Sequence, residues 1–173
     1  AIMKPLIFIG GTMGVGKTAT ARPLQNRLQP AAMLDGDWCW DIQPFTVNDG
    51  TKEMVQQNIT FLLRQFLHSP ACDTVIFSWV MDHREIAEEL FRRIGPETLR
   101  ETEVHWFSLT CSPETLERHI RGDIEKGLRK ESDIERSIAR LPLYDKLPSV
   151  LIPVDGITAE EAADAIIQRM NAE

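Results

Sequence analysis

Residues 6–18 read LIFIGGTMGVGKT, an apolar run that breaks into four glycines and closes on a lysine and a threonine. Lys4 to Gly10 has the unbroken apolar character of a strand buried on both faces of a parallel sheet. From Gly11 the pattern G-x-x-x-x-G-K-[ST] is met at every fixed position, by Gly11, Gly16, Lys17 and Thr18. Glycines there let successive backbone N–H groups converge on a phosphate without a Cβ in the way. The helix expected next adds the positive end of its dipole. This reading assigns Gly11, Met13, Gly14, Val15, Gly16, Lys17, Thr18 and Ala19 to a nucleotide. Lys17 would reach its β- and γ-phosphates and act in catalysis, and Thr18 would offer its hydroxyl to Mg²⁺.

Working outward, four further runs have strand character: Ala31 to Leu34, Thr74 to Met81, Glu103 to Thr110 and Val150 to Val154. Helical patterns alternate with them. In Thr51 to Ser69 the residues Val55, Ile59, Leu62, Leu63 and Phe66 share one face. Ser112-Pro113 and Thr158 to Glu161 carry helix-start signals. Alternation of this kind predicts an α/β fold of three layers, with five parallel strands joined by right-handed crossovers. The 173 residues, 43% hydrophobic, suffice for one domain and fall short of two.

A net charge of −7 leaves no positive field to hold DNA or RNA, so no nucleic-acid partner is expected. Cys39, Cys72 and Cys111 are odd in number and widely spaced, which suits core thiols in a reduced cytoplasm. No apolar run is long enough to span a bilayer and no leader pattern precedes the first strand, so a cytoplasmic protein off the membrane is expected. Met3 reads as the natural start, with Ala1 and Ile2 as an added pair.

The second strand runs into Leu34-Asp35-Gly36-Asp37-Trp38, at the sheet edge where ligands bind in open α/β folds. If the backbone stays extended, Asp35 and Asp37 project to the same side. One carboxylate would then support Mg²⁺, directly or through water. The other would take a proton or hydrogen bond from an attacking hydroxyl.

Together these features resemble the small P-loop kinases of the shikimate kinase and gluconate kinase type, within the nucleoside monophosphate kinase superfamily. The similarity extends over nearly the whole chain, through an arginine-rich segment to the closing VDGITAEEAADAII. The resemblance implies ATP and Mg²⁺, with Asp35 on the metal side and Asp37 as the base. Chloramphenicol phosphotransferases, which use an aspartate after the second strand as base, also look similar. Where shikimate kinases place a glycine triplet after the third strand, this chain has SWVMDHRE.

Arg118, Arg121, Lys126, Arg129 and Lys130 cluster around Gly122 and Gly127, which suits a mobile lid at about 119–135. The resemblance places Arg118 on adenine, Arg129 or Arg121 on the transferring phosphoryl group, and Arg140, in Arg140-Leu-Pro-Leu-Tyr144, on an anionic acceptor. Trp38, Trp40 and Phe45 either wall a ring-bearing acceptor or pack the core. Asp82 is either a magnesium outer partner or, as its Asp82-His-Arg-Glu85 spacing favours, a helix cap. His68, His83, His105 and His119 lack metal-site spacing.

The expectation is an ATP-dependent phosphotransferase, monomer or homodimer, acting on a small hydroxyl-bearing metabolite. The alternatives are a nucleotide-dependent switch or sensor and a nucleoside monophosphate kinase. The absence of N-K-x-D counts against a GTPase.

Overall fold

The computed structural model describes residues 3–172, so Ala1, Ile2 and Glu173, including the pair read as an addition before Met3, lie outside the described residues. The chain runs β1 (Lys4–Gly10), α1 (Lys17–Arg27), β2 (Ala31–Asp35), α2 (Asp49–His68), β3 (Thr74–Ser78), α3 (Arg84–Ile94), α4 (Pro96–Arg100), β4 (Thr102–Thr110), α5 (Pro113–Glu125), α6 (Ser132–Arg140), β5 (Val150–Pro153) and α7 (Ala159–Asn171). Tight 3-10 turns occupy Gly36–Trp40 and Leu141–Lys146.

The five strands form one parallel sheet in the order β2-β3-β1-β4-β5. Strand β1 is central because its side chains are apolar on both faces. Ile7 and Ile9 enter a core with Leu24 of α1, Leu116 and Ile120 of α5 and Ile166 of α7. Leu6 and Phe8 enter the other, with Val55, Ile59 and Leu63 of α2 and Leu90 of α3. Each such buried side chain contributes about 1.5–3 kcal/mol, so β1 anchors both layers and gives the glycine loop at its end a fixed base. After β1 the chain crosses to β2 on one side, while β4 pairs on the other. That reversal opens a crevice at the carboxyl end of β1.

Local signals set most helix ends. Asn48 and Thr51 form a reciprocal capping box, so α2 begins at Asp49, two residues before the sequence expectation. Ser112 caps α5 ahead of Pro113, and Thr158 with Glu161 boxes the start of α7. Cys39 and Cys72 are buried free thiols, and Cys111 is half-buried.

Two expectations need correction. Strand β3 stops at Ser78 rather than Met81, because the backbone turns: the Val80 carbonyl accepts from Gly11 N at 3.2 Å, and Met81 takes a left-handed φ of 42°. Asp82 does not cap α3, whose N-cap is His83 without a side-chain bond. The segment 119–135 is mostly helix, from α5 to Glu125 and α6 from Ser132, leaving 126–131 as the connection between them.

Candidate active site

The loop after β1 is shaped by backbone that only glycine adopts readily. Gly16, at φ 112°, is the N-cap of α1 and supplies no side chain there, which leaves the first N–H groups of the helix open. Gly14 has φ 88°, and a Cβ on it would come within 2.6 Å of Ile120 Cγ1 on α5. Val15 is buried, with its N–H on the Thr12 carbonyl at 3.2 Å, and the Thr12 hydroxyl donates to the Ser137 carbonyl of α6 at 2.8 Å. The loop is therefore tied to the helix after 126–131 as well as to β1.

Lys17 donates to the Thr12 carbonyl at 3.2 Å. Desolvation lowers its pKa to about 8, Arg129 pushes the same way, and Asp37 and Asp35 resist. A cation held this way gains from an arriving phosphate. Thr18 Oγ1 donates to Asp35 Oδ2 at 3.1 Å, and Asp35 Oδ1 accepts the Asp37 N–H at 2.9 Å.

The chain does not stay extended after Asp35, as same-side projection would require. It enters the 3-10 turn that Asp35 caps. Both carboxylates nevertheless line the same cavity, because the tight turn swings Asp37 back toward the loop. Asp37 Oδ1 accepts from Trp79 Nε1 at 3.2 Å. Its pKa is raised, first by desolvation and then by Asp35, against the pull of Lys17, Trp79 and Arg129. The pair is thus split chemically: Asp35 is committed to hydrogen bonds, and Asp37 is tuned toward accepting a proton.

A magnesium ion fits the donor set. Thr18 and Asp35 present adjacent hard oxygens beside the loop, and Ser78, in register with Asp35, carries a buried hydroxyl with no partner. No cluster of three His, Cys, Asp or Glu that could hold a metal ion by itself occurs among the described residues.

Lys17, Thr18, Asp35 and Asp37 edge a cavity of about 590 Å³, which Val154, Ile157, Thr158 and Ala162 and also His119, Asp123, Leu128 and Arg129 line as well. Arg129 Nε donates to Asp123 Oδ2 at 3.0 Å, which holds the guanidinium beside the cavity.

Other sequence-predicted residues lie elsewhere. Arg118 donates to Thr115 Oγ1 at 3.0 Å and is not part of the cavity wall, whereas its neighbour His119 is. Arg121 is taken up by Glu117 and Glu131. Trp38 turns away from the loop under the Arg22 guanidinium, 5.5 Å from the ring centroid, and edges a second cavity. Arg140 is ion-paired with the buried Asp82.

Sequence reading missed Trp79, Asp123, Ser78 and the purpose of Gly36. A Cβ at Gly36 would stand 2.5 Å from the Trp79 indole, so that glycine seats the tryptophan which bonds Asp37. The available signal was SWVMD at the end of the third strand, which places a tryptophan where the sheet edge meets the site.

Residues 7–139, from β1 to the end of α6, match the AAA domain family. The chain belongs to that family. Among solved structures, this AAA domain is similar to the tunicamycin resistance protein of Deinococcus radiodurans at 17% identity, with TM-score 0.68 and 96% and 95% of the two chains covered. It is similar to a gluconokinase from Sinorhizobium meliloti at 16% identity, with TM-score 0.68 and 98% and 95% covered. It is also similar to the shikimate kinase from Acinetobacter baumannii, solved with shikimate, at 16% identity, with TM-score 0.61 and 98% and 94% covered. The fold of this AAA domain is therefore that of the small P-loop kinases. No curated protein matches the sequence. Among the described residues no helix is long and apolar enough to cross a membrane.

Proposed function

We propose that the protein is an ATP-dependent kinase that phosphorylates a hydroxyl of a small molecule. One observation carries this reading: Lys17, the Thr18–Asp35 pair, Asp37 and Arg129 meet around one cavity at the carboxyl edge of β1, with a proton acceptor next to the phosphate cradle. The glycine loop and the open N-terminus of α1 hold the phosphates, and Val154 to Ala162 face the rest of the nucleotide. Thr18 and Asp35 would hold Mg²⁺, which supplies neutralisation of charge across the β- and γ-phosphates. Asp37 orients the acceptor hydroxyl and takes its proton, while Lys17 and Arg129 stabilise negative charge on the moving group.

The test is ADP release with ATP and Mg²⁺ across shikimate, gluconate, nucleosides, nucleoside monophosphates and aminoglycoside or phenicol antibiotics. One compound should stimulate release. Asp37→Asn should lower that turnover by about 10²–10⁴-fold while nucleotide still raises the melting temperature. Normal turnover in Asp37→Asn would remove Asp37 from the mechanism.

A second reading, a nucleotide-dependent switch, draws on the exposed Trp38 and Phe61 beside the second cavity, of about 600 Å³. Its Trp38 adjoins Asp37 in the chain. Tight ATP binding with no stimulation by any compound would favour it.

A further inference from the structure

Asp37 stands on a boundary. On one side it edges the phosphate cavity, and on the other its Oδ1 accepts from the Trp79 indole. Beyond Trp79 the surroundings change character. The Trp40 ring lies 6.5 Å from Trp79, and Phe45 lies 5.6 Å from Trp40, all in tilted rather than flat contact. These rings belong to three different segments, yet each is fixed. The Trp79 ring sits on Gly36, and its backbone N–H donates to the Ile9 carbonyl at 3.2 Å. Trp40 Nε1 donates to the Thr46 carbonyl at 3.1 Å, which pins the loop that carries Phe45. Phe45 remains 65% exposed and Trp40 and Trp79 are half-buried, so the wall still offers ring surface. Large apolar side chains left uncovered next to a reactive carboxylate are candidates for substrate contact.

The charges point the same way. Arg140, the cation that the resemblance places on an anionic acceptor, is already paired through Nη1 with the buried Asp82, so its charge is offset before any acceptor arrives. Lys17 and Arg129 lie on the phosphate side, where a triphosphate claims them. An acceptor at Asp37 therefore meets a carboxylate and phosphates, with no uncommitted cation among the residues named at the site. A negative acceptor would be repelled there.

We infer that the phosphate acceptor is a ring-bearing alcohol without negative charge, its ring placed against Trp79, Trp40 and Phe45 and its hydroxyl on Asp37. This rests on the kinase reading. It also separates the protein from kinases whose acceptors are carboxylates or phosphate esters.

Matched pairs provide the test. ADP release is measured with uridine against uridine 5′-monophosphate and with 2-phenylethanol against mandelate, each pair sharing a ring and differing in charge. Gluconate and shikimate serve as anionic, non-aromatic controls. Quenching of tryptophan fluorescence by the same compounds is read in parallel, with a non-hydrolysable ATP analogue bound. The neutral member of a pair should exceed its anionic twin in kcat/KM by about tenfold or more. Phe45→Ala should raise the KM for the ring compound by about 2- to 10-fold and leave kcat nearly unchanged.

Turnover that favours an anionic compound, indifferent to Phe45→Ala, overturns the inference and leaves the kinase intact. Quenching by neutral ring compounds, weakened in Phe45→Ala but without ADP release, overturns the kinase and upholds the ring site. The absence of both quenching and turnover with every ring compound overturns the inference outright.

Discussion

The two walls of the cavity are built in opposite ways. The phosphate wall is one continuous loop, Gly11 to Thr18, whose binding groups are mainly backbone N–H and whose shape is set by positive φ at Gly14 and Gly16. The side facing it is made of side chains from separated segments: Asp37 from the 3-10 turn lines the cavity, and behind it stand Trp79, just past β3, and Trp40 at the end of the turn, while Asp123 of α5 holds Arg129 over the loop. A backbone cradle recognises what every nucleoside triphosphate has. A wall of side chains can be re-specified one residue at a time, which is how a common fold accommodates different acceptors.

The sharpest way to break this contrast is to remove charge from the cradle. Lys17→Met should lower turnover by about 10²–10³-fold and abolish the melting shift caused by ATP. The same variant should melt a few degrees above the wild type without nucleotide, because burying the Lys17 ammonium is costly until a phosphate arrives. Thermal melts with and without ATP check both halves, and an unchanged apo melting temperature would show that the ammonium is well solvated.

Next in size is Gly36→Ala, which tests the facing wall through packing alone. The new methyl would sit 2.5 Å from the Trp79 ring and displace the indole from Asp37. Turnover should fall by up to about 10²-fold, the scale of an ångström of misplacement, with ATP binding kept. If turnover and acceptor KM both hold, Trp79 does not position the base.

The same contrast explains what could be read in advance. The order of strands and helices came from alternation, and the phosphate loop from one contiguous pattern, because both are written in neighbouring residues. Asp35 and Asp37 were also found, though for a partly mistaken reason, since a 3-10 turn rather than an extended strand brings them together. Trp79 and Asp123 were not visible. Their roles exist only because β3 lies beside β1 and because α5 turns back over the loop, distances that no local spacing encodes. Arg140 and Asp82 show the converse: 58 positions apart, each looked available alone, and the fold pairs them.

Asp123→Asn gives a smaller effect and probes how a side chain is held rather than what it contacts. The Asp123 carboxylate orients Arg129, so the amide should lower kcat by about tenfold, the equivalent of one hydrogen bond to a charged group, with the KM for ATP little changed. Stability should hardly move, because a pair that is about 30% exposed contributes little to folding. A melting change as large as the kinetic one would make Asp123 a structural residue.

The subtlest expected effect is the proton that accompanies ATP. With the pKa of Lys17 lowered from 10.5 to about 8, the unliganded protein at pH 8 has lost roughly half of that proton. Phosphate oxygens raise the pKa again, so binding at pH 8 should take up about half a proton, falling toward zero by pH 6.5, where Lys17 is already charged. Calorimetric titrations in buffers of different ionisation enthalpy measure this directly. The same shift fixes the sign for stability. The folded state binds the proton less well than the unfolded chain does, so the cost of Lys17 is fully present below pH 8 and fades as the pH approaches 10.5. The melting gap between Lys17→Met and the unliganded wild type should therefore be widest near neutrality and close at alkaline pH. A gap that stays constant across that range would assign the cost to packing around the lysine stem instead of to its charge, and the phosphate wall would then owe its design to shape alone.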